Sequence, residues 1–202
     1  YLRTDKLPLT IGSELNTQYY DSPIYNKMFK ARIGIYKLDE ADNKRALAGA
    51  VFEVRDASGK LFDTIKTNDD GYAETIEIPV GIYKVKEITP PEGFNLSDEV
   101  RTITLTTEDK ETAVFERENK ANEVTITKTD LTTEAPVPGA TVEICDKDGK
   151  LFYQGVTDKD GKITIRELPA GEYTFKETIC PDGYALNTGV FTFSIDNYGE
   201  VT

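Results

Sequence analysis

Two lysines stand where core residues belong. In ARIGIYKLD, Ile33, Ile35 and Lys37 share one face by the two-residue period of a strand. In EVTITKTD, Val124, Ile126 and Lys128 do the same. Glu87 shares a strand face with Tyr83 and Val85, and Glu177 is its counterpart further along. A buried charge without a partner is costly, so each lysine needs one. A buried Lys–Glu ion pair satisfies this pattern, and so does a lysine that snorkels outward from a strand end. Asn119, closing the run TAVFEREN, adds a third reactive type. Lysine, carboxylic acid and asparagine gathered in apolar surroundings can react. Burial favours the neutral amine, which is a nucleophile. It equally favours the protonated acid, which polarises the carboxamide and shuttles protons. The amine attacks, ammonia leaves, and a Lys–Asn isopeptide bond remains. The two titrating groups form a coupled pair. Such a reaction runs once per molecule, which makes it maturation rather than enzyme turnover.

The elements that must hold these groups are written twice. Residues 48–94 and 138–184 align without a gap. Gly49 matches Gly139, Gly71 matches Gly161, Glu87 matches Glu177 and Gly93 matches Gly183, each at the same offset (139 − 49 = 90). A unit of this length is a whole domain rather than a solenoid repeat. Thr, Val, Ile, Tyr and Phe dominate the patterned stretches, which indicates an all-β class. The first copy gives strands ARIGIYKLD, AVFEVRD, LFDTIKT, YAETIEI, IYKVKEI, EVRTITLTT and TAVFEREN. Asn68-Asp69-Asp70-Gly71 is expected to make a hairpin between LFDTIKT and YAETIEI. Asp146–Gly149 and Asp158–Gly161 look like pieces of a calcium loop, but each lacks the remaining ligands, so a turn is expected and no metal. The expected domains are residues 29–120 and 121–202, joined by the short linker Lys120–Glu123 in a stiff, end-to-end arrangement.

The pattern I-x-K-x-D, then a D-G turn, then G-x-Y-x-x-x-E-x-x-x-P-x-G-[FY], resembles the collagen-adhesin B-type (Cna B, SpaA-like pilin) repeats of Gram-positive surface proteins. The specific part is G-[IE]-Y-x-[VF]-K-E-x-x-x-P-[ED]-G-[FY]. The resemblance implies tandem Ig-like or prealbumin-like β-sandwich domains and an intramolecular Lys–Asn bond promoted by Glu. It implies a stalk or pilus segment of a cell-wall-anchored, extracellular protein. Carried onto this chain, Lys37 is the nucleophile, Asn119 the acceptor and Glu87 the promoter. Lys128 and Glu177 take the same roles in the second copy, whose acceptor is missing. Glu87 to Asn119 spans 32 positions, and 177 + 32 = 209 lies beyond Thr202. Asn197 aligns with Thr107, ahead of the closing strand, so the second domain is expected to lack its last strand. Asn26 precedes Lys37 much as Asn119 precedes Lys128. Residues 1–28 are therefore expected to close a preceding repeat, with Asn26 its acceptor, or to supply the strand missing from another molecule.

Composition narrows the alternatives. The net charge of −12 opposes nucleic-acid binding. No apolar run is long enough to cross a bilayer, so no membrane insertion is expected in this segment. The chain has no His, which removes the usual general base and the commonest metal ligand, and no Trp. No enzyme activity and no cofactor are expected. Leu7-Pro8-Leu9-Thr10 resembles the start of a sortase signal, but Ile11 stands where Gly is needed, and coincidence explains it better. The two cysteines, Cys145 and Cys180, both fall in the second copy, opposite Arg55 and Pro90 of the first. Their joint arrival suggests a disulfide formed in an oxidising compartment. The expected partners are neighbouring repeats of the same surface protein or pilus. The alternative function is an adhesin domain that binds host extracellular matrix protein or glycan, with Tyr19-Tyr20 as one contact cluster.

Overall fold

The computed structural model describes residues 28–42, 44–109 and 112–202. Residues 1–27, with the expectations for Asn26, Tyr19-Tyr20 and the close of an earlier repeat, lie outside the described residues. Alternating β-branched, aromatic and polar residues produce strands throughout, and the described residues contain no helix.

The first domain stacks two sheets. One follows the order β3-β2-β6-β7, built from β2 (Val51–Asp56), β3 (Leu61–Lys66), β6 (Gly81–Thr89) and β7 (Val100–Leu105), all antiparallel. The other is organised on β1 (Lys30–Asp39). One edge of β1 meets β4 (Tyr72–Glu74) and β5 (Ile78–Pro79), both antiparallel. The other edge meets β8 (Thr112–Asn119), which runs parallel, from Arg32 opposite Thr112 to Asp39 opposite Asn119. Ile33 and Ile35 from β1, Phe52 and Val54 from β2, Val85 from β6 and Phe115 from β8 close the core between the sheets. Those residues sit on the inward face because side chains alternate along a strand.

The second domain repeats the first sheet as β11-β10-β13-β14, from β10 (Thr141–Asp146), β11 (Leu151–Val156), β13 (Gly171–Ile179) and β14 (Val190–Ile195). Among the described residues its second sheet consists of β9 (Glu123–Thr127) and β12 (Lys162–Arg166). β9 is the counterpart of β1. Among the described residues no strand lies on its other edge, where β8 lies in the first domain.

Three expectations change. YAETIEI is not one strand but two short ones, β4 and β5. Thr75 interrupts it: its buried hydroxyl accepts the Ile33 amide proton at 3.1 Å in place of a backbone carbonyl. Asp63 takes the Ile76 N–H in the same way at 2.9 Å. Next, the Asn68–Gly71 turn does not close a hairpin. It carries the chain from β3 in one sheet to β4 in the other. Local turn chemistry is present, with Asn68 Oδ1 accepting from the amides of Asp70 and Tyr72. Asp158–Gly161 crosses sheets likewise, and Asp158 Oδ1 accepts from the Asp160 and Lys162 amides.

Finally, the expected disulfide is absent: Cys145 and Cys180 are both free. Cys145 pairs with Thr174 on β13, six positions before Cys180. At about 3.3 Å per residue that separates them by roughly 20 Å, far beyond the reach of a disulfide. The Cys180 thiol instead donates to the Tyr184 carbonyl at 3.3 Å.

The short linker is held on both sides. Asn122 is buried; its amide donates to Gly93 O and its carbonyl accepts from Glu167 N, both at 2.8 Å. Its side-chain Nδ2 donates to Leu168 O at 2.8 Å. Arg45 reaches Glu167 Oε1 at 2.5 Å, and Leu47, Phe94 and Ala121 bury one another beside it.

Candidate functional site

The first domain's site lies where β1, β6 and β8 converge. Lys37 is fully buried because it occupies the inward phase set by Ile33 and Ile35. Its backbone is fixed by a turn from elsewhere: Lys37 N donates to Gly71 O at 2.8 Å. Gly71 has φ +70°, and a Cβ there would stand 2.6 Å from Lys37 O. Only glycine combines that backbone with that approach. The parallel register brings Asn119 up beside Lys37, and β6 brings in Glu87 from the opposite sheet. Both partners are buried too.

Lys37 Nζ donates to Asn119 Oδ1 at 2.6 Å and to Arg117 O at 3.3 Å. It lies 3.7 Å from Glu87 Oε1. Asn119 Nδ2 donates to Glu87 Oε1 at 3.1 Å and Oε2 at 3.0 Å. The Ser97 amide completes the cradle, donating to Glu87 Oε2 at 2.9 Å. Amine, carboxamide and carboxylate therefore form a closed triangle away from water. The amine touches the oxygen bonded to the carbon it would attack, and the acid touches the nitrogen that would leave.

Burial pushes the Lys37 ammonium down from 10.5 to about 8; the Glu87 carboxylate opposes that shift and the nearby Arg117 guanidinium adds to it. A reactive neutral amine is thereby reachable near physiological pH. Arg117 is 7% exposed and held by the Glu99 carbonyl and carboxylate. Arg117 and the Ser97 amide were not singled out by sequence, and Gly71 was read there as a repeated turn glycine without its contact to Lys37. Arg117 carried a signal, since it shares the inward phase of Phe115 and Asn119. The Ser97 amide carried none, because any residue supplies a backbone N–H.

The second domain reproduces half of this arrangement. Lys128 Nζ donates to Glu177 Oε2 at 3.2 Å, and the Asn187 amide donates to the same oxygen at 2.8 Å. Gly161 plays the part of Gly71, with φ +69° and a Cβ position 2.5 Å from Lys128 O. Among the described residues no carboxamide joins the pair. Glu177 Oε1 is buried with no hydrogen-bond partner among the described residues. The Lys128 side chain is 23% exposed, against 0% for Lys37. Asn197 sits elsewhere, its carbonyl accepting from Leu96 N at the domain junction.

A two-sheet β domain is thus written twice, and in the first copy a buried Lys–Glu–Asn triangle lies between the first and last strands. The family described as SpaA, prealbumin-like fold domain, matches residues 31–120 and again 122–202, and the chain belongs to that family. Among curated relatives, the trypsin-resistant surface T6 protein of Streptococcus pyogenes is 39% identical over 77 residues, covering 38% of this chain and 14% of that protein. Serine-aspartate repeat-containing protein D of Staphylococcus aureus is 25% identical over 173 residues, covering 75% of this chain and 13% of that protein. The chain thus spans about a seventh of the curated relatives it matches. Among solved structures, the Bacillus anthracis TIE protein is 39% identical with a TM-score of 0.52, covering 85% of this chain and 32% of the other.

Proposed function

We propose that this chain is a structural stalk or pilin segment of a cell-wall-anchored, extracellular bacterial protein, and that its first domain is locked by an isopeptide bond between Lys37 and Asn119. One observation carries the chemistry: Nζ stands 2.6 Å from Asn119 Oδ1 while the Glu87 carboxylate cradles Nδ2. The neutral Lys37 amine attacks Asn119 Cγ. The Nζ–Cγ bond forms and the Cγ–Nδ2 bond breaks. Glu87 carries the proton lost by Nζ to Nδ2, which departs as ammonia. Glu87 ends in the state in which it began, and nothing turns over a second time.

The placement of the bond supports a mechanical role. Lys37 and Asn119 close a loop spanning 82 positions. They lie near the ends of two parallel neighbours, so tension entering at β1 would pass through the bond and leave at Lys120. The intervening strands would carry none of it. The junction contacts of Asn122 and Arg45 support transmission of that load from one domain to the next. Neighbouring repeats are the natural partners for such a segment.

The purified chain should weigh one ammonia less than its sequence. Glu87→Gln, which keeps the shape and removes the proton carrier, should restore the missing mass. An intact mass equal to the sequence, or a deficit that survives Glu87→Gln, would overturn the proposal.

A further inference from the structure

Residues 95–99 belong to the connection between β6 and β7, form no strand of their own, and serve two sites at once. On one side this strap closes the reactive triangle. Ser97 N donates to Glu87 Oε2 at 2.9 Å, and the Glu99 carbonyl accepts from Arg117 at 2.6 Å. On the other side the second domain holds it. Leu96 N donates to Asn197 O at 2.7 Å, and Asp98 Oδ1 accepts from the Tyr198 hydroxyl at 3.3 Å. Neighbouring amides therefore serve different domains, Ser97 the acid of the first and Leu96 a turn of the second. Asn95 N is tied to Lys120 O at 3.0 Å, but Asp98 and Glu99 are exposed. The turn that reaches the strap depends on a glycine. Asp196 Oδ1 accepts from Tyr198 N and Glu200 N, and Gly199 has φ +79°. A Cβ on Gly199 would stand 2.7 Å from Asn122 Oδ1 and 3.0 Å from Asn95 Cγ. The first domain has Asp109 at the matching position (199 − 109 = 90).

We infer that the 196–199 turn of the second domain is a positioning element for the reactive site of the first. By holding Leu96 it fixes the Ser97 amide, and that amide fixes the rotation of the Glu87 carboxylate. Glu87 must address both Lys37 Nζ and Asn119 Nδ2, so a strap free to lift would leave the proton carrier misaligned. A misplacement of about 1 Å can cost on the order of a hundredfold in rate, even when its cause is remote. A connection with few packed contacts opens locally more readily than the strands around it. The turn acts only through the strap. The inference rests on the Lys37–Asn119 bond proposed above and adds an order to its formation. The first domain reacts fastest once the second has folded and docked against it.

Two glycine variants of the full chain isolate this effect. Gly149 and Gly199 both lie in second-domain turns at matching backbone angles, φ +78° and +79°. Alanine at either carries the same left-handed strain. The Cβ position of Gly149 has nothing within 4 Å, whereas that of Gly199 faces Asn95 and Asn122. Pulse-labelled cell-free synthesis gives chains of known age, and intact mass gives the fraction that has lost ammonia. Gly199→Ala should slow that loss about tenfold, and Gly149→Ala should match the wild-type chain. The Ser97 amide should exchange with solvent faster in Gly199→Ala and not in Gly149→Ala. Equal rates of ammonia loss in the two variants would overturn the inference, as would unchanged exchange of the Ser97 amide in Gly199→Ala. If the wild-type chain loses ammonia and both variants keep pace, the bond stands and only the positioning role fails. If the wild-type chain loses none, the bond itself fails and this inference falls with it.

Discussion

Lys37→Met isolates the contribution of the proposed bond. Methionine is close to lysine in length and shape, and it suits the apolar surroundings of β1. In the bonded protein Lys37 is an uncharged amide, and in the variant position 37 is an uncharged thioether. Neither state buries a cation, so the comparison is free of the desolvation cost that a charged lysine would bring. What differs is the closed loop of 82 positions. Loop-closure entropy sets its effect at about 4–5 kcal/mol, with the denatured chain as the state affected. For a domain of this size each kcal/mol moves the midpoint by several degrees, so the first domain should melt roughly 20–35 °C lower. Calorimetry on the full chain reads the shift, and intact mass should show the missing ammonia restored. A variant that melts within a few degrees of a wild-type chain lacking one ammonia would refute the assignment of that bond to Lys37. So would a variant that still lacks the ammonia.

Two further outcomes follow from the same geometry. In Asn119→Ala no bond can form and Lys37 keeps its amine, with a folded value near 8 against 10.5 when unfolded. Between those values the unfolded chain binds more protons, so stability should rise with pH across that window, by at most roughly 3 kcal/mol, and stay level below it. Urea unfolding at several pH values, referenced to Lys37→Met/Asn119→Ala, measures this, and a flat difference would contradict it. Separately, a thiol reagent should titrate two cysteines in the unreduced, denatured chain, since Cys145 and Cys180 stand at opposite ends of a strand pair; finding none would contradict the structure.

Much of the site was legible because alternation along a strand is a strong signal. Lys37 followed from the phase of Ile33 and Ile35, and Glu87 from that of Tyr83 and Val85. The repeat offset of 90 then transferred Glu87 to Glu177, and Lys128 followed from its own phase with Val124 and Ile126. The partners of each strand were less legible. Asn68–Gly71 carries every local mark of a tight turn, yet which sheet receives the next strand depends on long-range packing. The split of YAETIEI turned on one hydroxyl, Thr75, substituting for a carbonyl, which composition does not reveal. The cysteines misled because joint occurrence in one copy says nothing of distance. Their strand pairing does, and it was fixed only by the register of β10 on β13.

The parallel pairing of β1 with β8 has one more consequence. A module whose opening and closing strands run side by side in the same direction receives its chain at one pole and releases it at the other. Most sandwiches that close with an antiparallel neighbour would return the chain to its origin. In the proposed stalk each added copy would extend the array instead of doubling it back, so its length would grow with copy number and need no new architecture.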